Sequence, residues 1–180
     1  AAQFVHRQAS DHRRSDVLLT TGTMIRSPEM AILTAAGKAE VAIAKWPDIA
    51  IISTGDELVD VGEPIADQQI RSSNDRGIEA ALRLRGCSST VRVRLPDNRD
   101  ELLIRVRSLH ASSQAMILSG GVSMGKYDYV PGIMEELGVE LIFHKILQRP
   151  GLPMWFGVSA TGVPVFALPG NPVSTLVCLT

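Results

Sequence analysis

Three stretches of this sequence lead an apolar run straight into a turn of small residues: Ile52-Ser53-Thr54-Gly55-Asp56, Leu118-Ser119-Gly120-Gly121-Val122-Ser123 and Ala167-Leu168-Pro169-Gly170-Asn171-Pro172. Glycine lacks the Cβ that holds backbone N–H groups away from an anion. A helix starting after such a turn adds a positive end of about half a charge. In the third stretch Asn171 suits an N-cap and Pro172 a first helical position, so the amides of Val173, Ser174 and Thr175 are expected to point at a ligand. Asp56, Glu57, Asp97 and Asp128 fall in or near the turns. Carboxylates beside a phosphate repel it unless a divalent cation such as Mg²⁺ bridges them. Each feature also has a plain structural reading. Gly-Gly after a strand makes a tight turn, Pro-Gly-Asn-Pro caps a helix, Asp97 suits capping a helix that starts near Asn98, and Asp56-Glu57 suits a solvated loop. Three such turns at equivalent strand ends favour a binding cleft, because the carboxyl ends of parallel strands share the sheet edge where open α/β folds bind ligands.

The elements that must position these turns are legible as an alternation. Apolar runs at Ile49–Ser53, Ser89–Leu95, Ala115–Leu118 and Glu140–Leu147 read as strands, and Pro153–Ser159 with Val163–Leu168 around Thr161-Gly162 reads as a hairpin. Helices are expected over Ser73–Arg85, from Asn98 through Leu109, over Val130–Leu137 and from Pro172 onward. Strand and helix alternate from about residue 48, which predicts a three-layer α/β sandwich around a mostly parallel sheet. Residues 1–16 are polar and aperiodic, an arm or linker. Residues 17–47 read as a strand-and-helix appendage from a preceding domain, with Pro28 opening the helix and Gly37 closing it. Residues 48–180 are the main domain. The apolar run Val173–Leu179 lacks a following cap signal and the chain begins without Met, so a fragment of a longer protein is expected.

Composition excludes several function classes. The 180 residues carry 18 Lys+Arg against 19 Asp+Glu, so no basic field holds a nucleic acid backbone, and aromatics at 4% supply no base-stacking platform. Two cysteines, Cys87 and Cys178, are too few for a disulfide framework or a self-sufficient zinc site and fit a reducing cytoplasm. No stretch has the roughly 18 uncharged apolar residues of a membrane span. Both common nucleotide fingerprints, G-x-x-x-x-G-K-[ST] and G-x-G-x-x-G, are missing. His6, His12, His110 and His144 are scattered, and Ser123 has no paired His at a recognisable spacing.

Four segments carry a more specific signal: Ile51-Ile52-Ser53-Thr54-Gly55-Asp56-Glu57-Leu58, Ser119-Gly120-Gly121-Val122-Ser123-Met124-Gly125-Lys126-Tyr127-Asp128-Tyr129-Val130, Arg149-Pro150-Gly151-Leu152-Pro153 and Leu168-Pro169-Gly170-Asn171-Pro172-Val173-Ser174. In order and spacing they resemble the molybdopterin molybdenumtransferase family over about Asp48 to Thr180, with a weaker match back to about Ser15. The resemblance implies the molybdopterin-binding fold of that family and an enzyme of molybdenum cofactor biosynthesis. Such an enzyme inserts molybdate into the dithiolene of adenylated molybdopterin with Mg²⁺ assistance and releases AMP. It implies catalytic roles for Asp97, Asp128 and Lys145, with Asp97 and Asp128 also on the metal. It implies a pterin-nucleotide cleft of Ser53, Thr54, Gly55, Asp56, Asn74, Ser119, Gly120, Gly121, Val122, Ser123, Arg149, Pro169, Gly170, Asn171 and Pro172. A homodimer of the full-length protein and an adenylyltransferase partner follow from the same resemblance.

The chain departs from the family's pattern at three places. Leu152 stands where a Lys is frequent, Lys126 where a Glu is frequent, and Arg149 where a second Lys is frequent, which keeps the charge without the ammonium's geometry. Two other functions remain open on the sequence. The related adenylyltransferase typically reads GGTG and PGSP where this chain has Gly120-Gly121-Val122-Ser123 and Pro169-Gly170-Asn171-Pro172. A non-catalytic scaffold could retain the fold alone.

Overall fold

The computed structural model describes residues 5–122 and 128–180, and the chain divides into two units, Ala1–Ala44 and Lys45–Thr180. In the first unit Pro28 opens helix α1 (Ser27–Ala35), as expected. The Arg26 backbone N–H donates to Glu29 Oε2 at 2.8 Å, closing the first turn, and Gly37 leaves the helix at φ 72°. The strand expected within residues 17–25 does not form. Nothing else described in this unit is extended into a strand that could pair with it, and Val17 and Met24 stay exposed.

The second unit begins with β1 (Ile49–Thr54), buried along its whole length. A separate pair of two-residue strands follows, β2 (Leu58–Val59) beside β3 (Ile70–Arg71), then helix α2 (Asn74–Leu84). The remaining order is β4 (Thr90–Leu95), α3 (Arg99–Ser112), β5 (Ala115–Ser119), α4 (Val130–Glu136), β6 (Val139–His144), β7 (Trp155–Ser159), β8 (Pro164–Leu168) and α5 (Pro172–Cys178). The main sheet has the order β4-β1-β5-β8-β7-β6. The first four strands are mutually parallel, while β7 pairs antiparallel with both β8 and β6. This is the mostly parallel α/β sheet that the alternation predicts.

Alternation along β1 divides the core between the two faces. Ala50 and Ile52 join Leu102 and Val106 of α3 and Ile133 and Met134 of α4. Ile49 and Ile51 join Ile78 of α2, with Cys178 of α5 packed at the margin. Each fully buried Ile or Leu contributes about 1.5–3 kcal/mol through removal from water. The two helix layers are thus fixed by which residues of the strands point where. At the antiparallel end, Phe143, Phe156 and Phe166 stack across β6, β7 and β8 with ring centroids 5.4 and 4.7 Å apart.

Some elements differ from the sequence reading. β6 stops at His144 instead of Leu147, because Lys145 takes a left-handed φ of 69° that an extended strand cannot accommodate. β2 and β3 were not anticipated, since a two-residue strand has no period to detect.

Candidate functional site

Parallel register brings the ends of four strands into one row. Ser53 lies beside Ser119 and Thr54 beside Leu95, while Ser119 lies beside Leu168. The turns after β1, β5 and β8 are therefore neighbours at one sheet edge, with Asp97 arriving two residues beyond β4. They surround a cleft of about 280 Å³.

Its floor is the end of β1. Ser53 and Thr54 line the cleft with buried hydroxyls that find no hydrogen-bond partner among the described residues. A buried unpaired hydroxyl costs about 1–3 kcal/mol, so a polar ligand that reaches these two recovers that loss. The β5 turn lies directly over them. Gly120 (φ 99°) and Gly121 (φ 69°) occupy conformations open to glycine, and a Cβ on Gly120 would sit 2.9 Å from the Thr54 carbonyl oxygen. A Cβ on Gly121 would sit 2.9 Å from Val130 Cγ2 and 3.2 Å from Thr54 Oγ1. The glycines are required for closeness to Thr54, beyond the needs of a generic tight turn.

One wall is acidic. Asp97, Asp128 and Glu57 all line the cleft. Burial pushes the Asp97 carboxyl above its ordinary value, and the negative charges of Asp56, Glu57 and Asp128 push it further. Asp97 does not cap the following helix. Asn98 does so, its Oδ1 accepting the Asp100 and Glu101 amides at 3.1 Å. Asp97 instead donates its backbone N–H to Asp56 Oδ1 at 3.0 Å, which joins the β4 and β1 turns. Among the described residues no group of three His, Cys, Asp or Glu side chains is arranged to hold a metal.

Ser119, Gly170, Pro172 and Asn74 also line the cleft. Asn74 Nδ2 donates to Ser119 Oγ at 2.7 Å and to the Gly170 carbonyl at 2.8 Å. Here the helix-end expectation fails. The Val173 and Ser174 amides donate to Asn171 Oδ1 at 3.0 and 3.1 Å, and the Thr175 amide to the Asn171 carbonyl at 2.9 Å. The cap that makes Asn171 suitable has consumed the donors meant for an anion.

The implied residues thus separate. Ser53, Thr54, Asn74, Asp97, Ser119, Gly120, Gly121, Val122, Asp128, Gly170 and Pro172 share the cleft. Gly55 and Asp56 face a neighbouring depression with Glu63 and Arg94. Pro169 and Asn171 support the turn, the former accepting the Thr175 hydroxyl at 2.6 Å. Lys145 is exposed beyond β6, and Arg149 lies beside Leu147 and Leu152 in a separate hollow. Because β6 is three strands from β5, it stands about 14 Å away along the sheet. Ser123 and Lys126 lie outside the described residues. Sequence reasoning missed Arg71, Ser72 and Ser73, which reach the cleft on the short β3 and the approach to α2. It named Glu57 only as one of several carboxylates.

Comparison with known proteins agrees with this architecture. Residues 50–180 match the family described as a probable molybdopterin binding domain. A molybdopterin molybdenumtransferase of Synechocystis is 38% identical over 178 residues, 98% of this chain and 46% of that protein. The chain thus spans less than half the length of this curated relative. The crystal structure of a molybdopterin biosynthesis MoeA protein from Pyrococcus horikosii shares 31% identity at a TM-score of 0.67, over 82% of this chain and 36% of that one. The tungsten cofactor synthesizing protein MoaB from Pyrococcus furiosus shares the fold, with 16% identity and a TM-score of 0.56 over 76% of this chain and 90% of that one. With the match covering every strand of the sheet, the chain belongs to the molybdopterin-binding domain family.

Proposed function

We propose that the cleft at the ends of β1, β5 and β8 binds adenylated molybdopterin, and that the full-length protein inserts molybdate into its dithiolene with release of AMP. The observation that carries this reading is the pair of buried hydroxyls at Ser53 and Thr54, unpartnered among the described residues, close to the glycines of the β5 turn and in one cleft with three carboxylates. Such a site rewards a ligand rich in hydrogen-bonding atoms and joined to a phosphate. Similarity to proteins named molybdopterin molybdenumtransferase supplies the substrate class. The same reading carries a homodimer of the full-length protein, an adenylyltransferase that delivers the adenylated pterin, and a cytoplasmic setting.

The residues present fit Mg²⁺. This ion takes one or two carboxylates and completes its shell with water and substrate phosphate, so the pair Asp97 and Asp128 is a sufficient protein contribution. Burial first, and then the negative charges of Asp56, Glu57 and Asp128, raise the Asp97 carboxyl, and a cation offsets the repulsive part of that shift. When bound, Mg²⁺ neutralises phosphate charge. The chain itself orients the ligand: Ser53, Thr54 and Ser119 meet its polar atoms, while the bare faces of Gly120 and Gly121 allow close approach. Lys145 and Arg149 serve this reaction only for a ligand that extends along the sheet edge toward β6.

Calorimetry with adenylated molybdopterin and Mg²⁺ tests the site. Gly121→Val and Asp128→Ala are each expected to weaken binding at least about tenfold. Unchanged binding in both would overturn the assignment. Transfer of AMP from Mg-ATP to molybdopterin would instead identify an adenylyltransferase.

A further inference from the structure

We propose that Asn74 is a positioning residue that locks the β5 and β8 turns to each other and makes Ser119 a hydrogen-bond donor to the ligand, without contacting the ligand through its own N–H groups. The resemblance places Asn74 among binding residues, but its geometry assigns a different task. The Gly170 carbonyl can only accept, so the side-chain atom 2.8 Å from it must be the NH₂ group. The second N–H of that group goes to Ser119 Oγ at 2.7 Å. Both donors are therefore committed within the protein. Ser119, which is buried and lines the cleft, accepts from Asn74, and among the described residues its own proton is given to no other group.

Asn74 is also not spent on its own helix. It is the first residue of α2, and the N-cap position before it is Ser73, whose side chain makes no cap bond. What holds Asn74 in place is the next residue. Asp75 receives Arg92 Nη1 of β4 at 2.7 Å and the Ser72 hydroxyl at 3.0 Å. The first turn of α2 is thus pinned to the sheet, and a single amide extends from it across two turns that are far apart in sequence. A parallel link exists in the backbone, where the Gly120 N–H donates to the Leu168 carbonyl at 3.2 Å. This bond reports whether the two turns remain in register. The lock stands on the geometry alone, while the role of Ser119 rests on the ligand reading above.

Amide hydrogen exchange on the intact chain tests the lock before any ligand is added. In the unaltered protein the Asn74 side-chain NH₂ is expected to exchange at least about tenfold more slowly than a free asparagine amide. Exchange at the free rate would overturn the proposal without any variant. Asn74→Ala removes both bonds, and the nearly isosteric Asn74→Asp sets a carboxylate oxygen against the Gly170 carbonyl. In both, Gly120 N–H exchange is expected to accelerate about tenfold while amides of α2 and β4 stay within about twofold. The affinity for adenylated molybdopterin with Mg²⁺ should fall about tenfold, and adding Ser119→Ala to Asn74→Ala should cost little more, since the two act as a unit. Unchanged Gly120 exchange with weakened binding would make Asn74 a direct ligand contact. Equal acceleration throughout α2 and β4 would reduce it to a helix-stabilising residue. If the lock behaves as expected and the unaltered chain does not bind adenylated molybdopterin, the positioning role stands and the ligand reading fails.

Discussion

Thr54 shows how a single residue can trade stability for binding. Its hydroxyl is buried beneath Gly120 and Gly121 without a partner among the described residues, although valine would fill the same volume with no polar atom to satisfy. Thr54→Val is therefore expected to leave stability unchanged or raise it by about 1 kcal/mol in denaturant unfolding. Calorimetry should show that the same variant loses ligand affinity. A loss of stability with unaltered affinity would make the hydroxyl structural. Gly120→Ala acts in the opposite sense. At φ 99° with a Cβ only 2.9 Å from the Thr54 carbonyl, alanine must distort the turn. Strain of this kind costs about 1–3 kcal/mol, so the variant should unfold at measurably lower denaturant and bind more weakly. Together the two substitutions separate the glycine's steric role from the hydroxyl's chemical one.

At the scale of elements, the cleft depends on how α2 is seated on β4. Arg92 bridges Asp75 at 2.7 Å and Glu79 at 3.0 Å, and the Thr90 hydroxyl donates to Glu79 at 3.0 Å. Burial raises the Glu79 carboxyl, but Thr90, Arg83 and Arg92 outweigh it and hold the group below its ordinary 4.5. A carboxyl depressed in the folded state stabilises the fold above its unfolded value and loses that contribution as pH falls through the folded one. Glu79→Gln is therefore expected to destabilise the chain near neutral pH, by about 1–2 kcal/mol, with the difference from the unaltered protein vanishing well below pH 4.5. Urea unfolding at several pH values measures this; a pH-independent difference would sink it. Elements of this kind were unevenly legible in the sequence. The long strands and the turns after β1, β5 and β8 announce themselves because apolar runs end abruptly in glycine or Pro-Gly. β2 and β3 do not, since a parallel pair of two-residue strands is created by the arginines and backbone around it. Arg71 Nη1, for example, donates to the Asp60 and Glu63 carbonyls at 2.6 and 2.7 Å. The third turn is a helix start, as the sequence indicates, but the amides of Val173, Ser174 and Thr175 do not point at a ligand, because spacing cannot reveal that Asn171 satisfies its own helix. Nor can it place Lys145 and Arg149, whose neighbourhood is set by a left-handed residue and a loop.

At the scale of the molecule, the chain's two units differ in how they are built. Helix α1 has no buried residue, and both buried core clusters draw only on residues from Ile49 onward. Every described cleft residue likewise belongs to the second unit. An α/β sheet of six strands with helices on both faces has a core large enough to fold alone, whereas a single nine-residue helix does not. A chain restricted to residues 45–180 is therefore expected to fold on its own and unfold in one cooperative step, since both buried core clusters lie wholly within it. It should also bind adenylated molybdopterin with the same affinity. Matched urea unfolding and calorimetry on the two chains decide the point. A large loss of stability would show that residues 1–44 support the sheet, and a loss of affinity at constant stability would show that they contribute to the cleft.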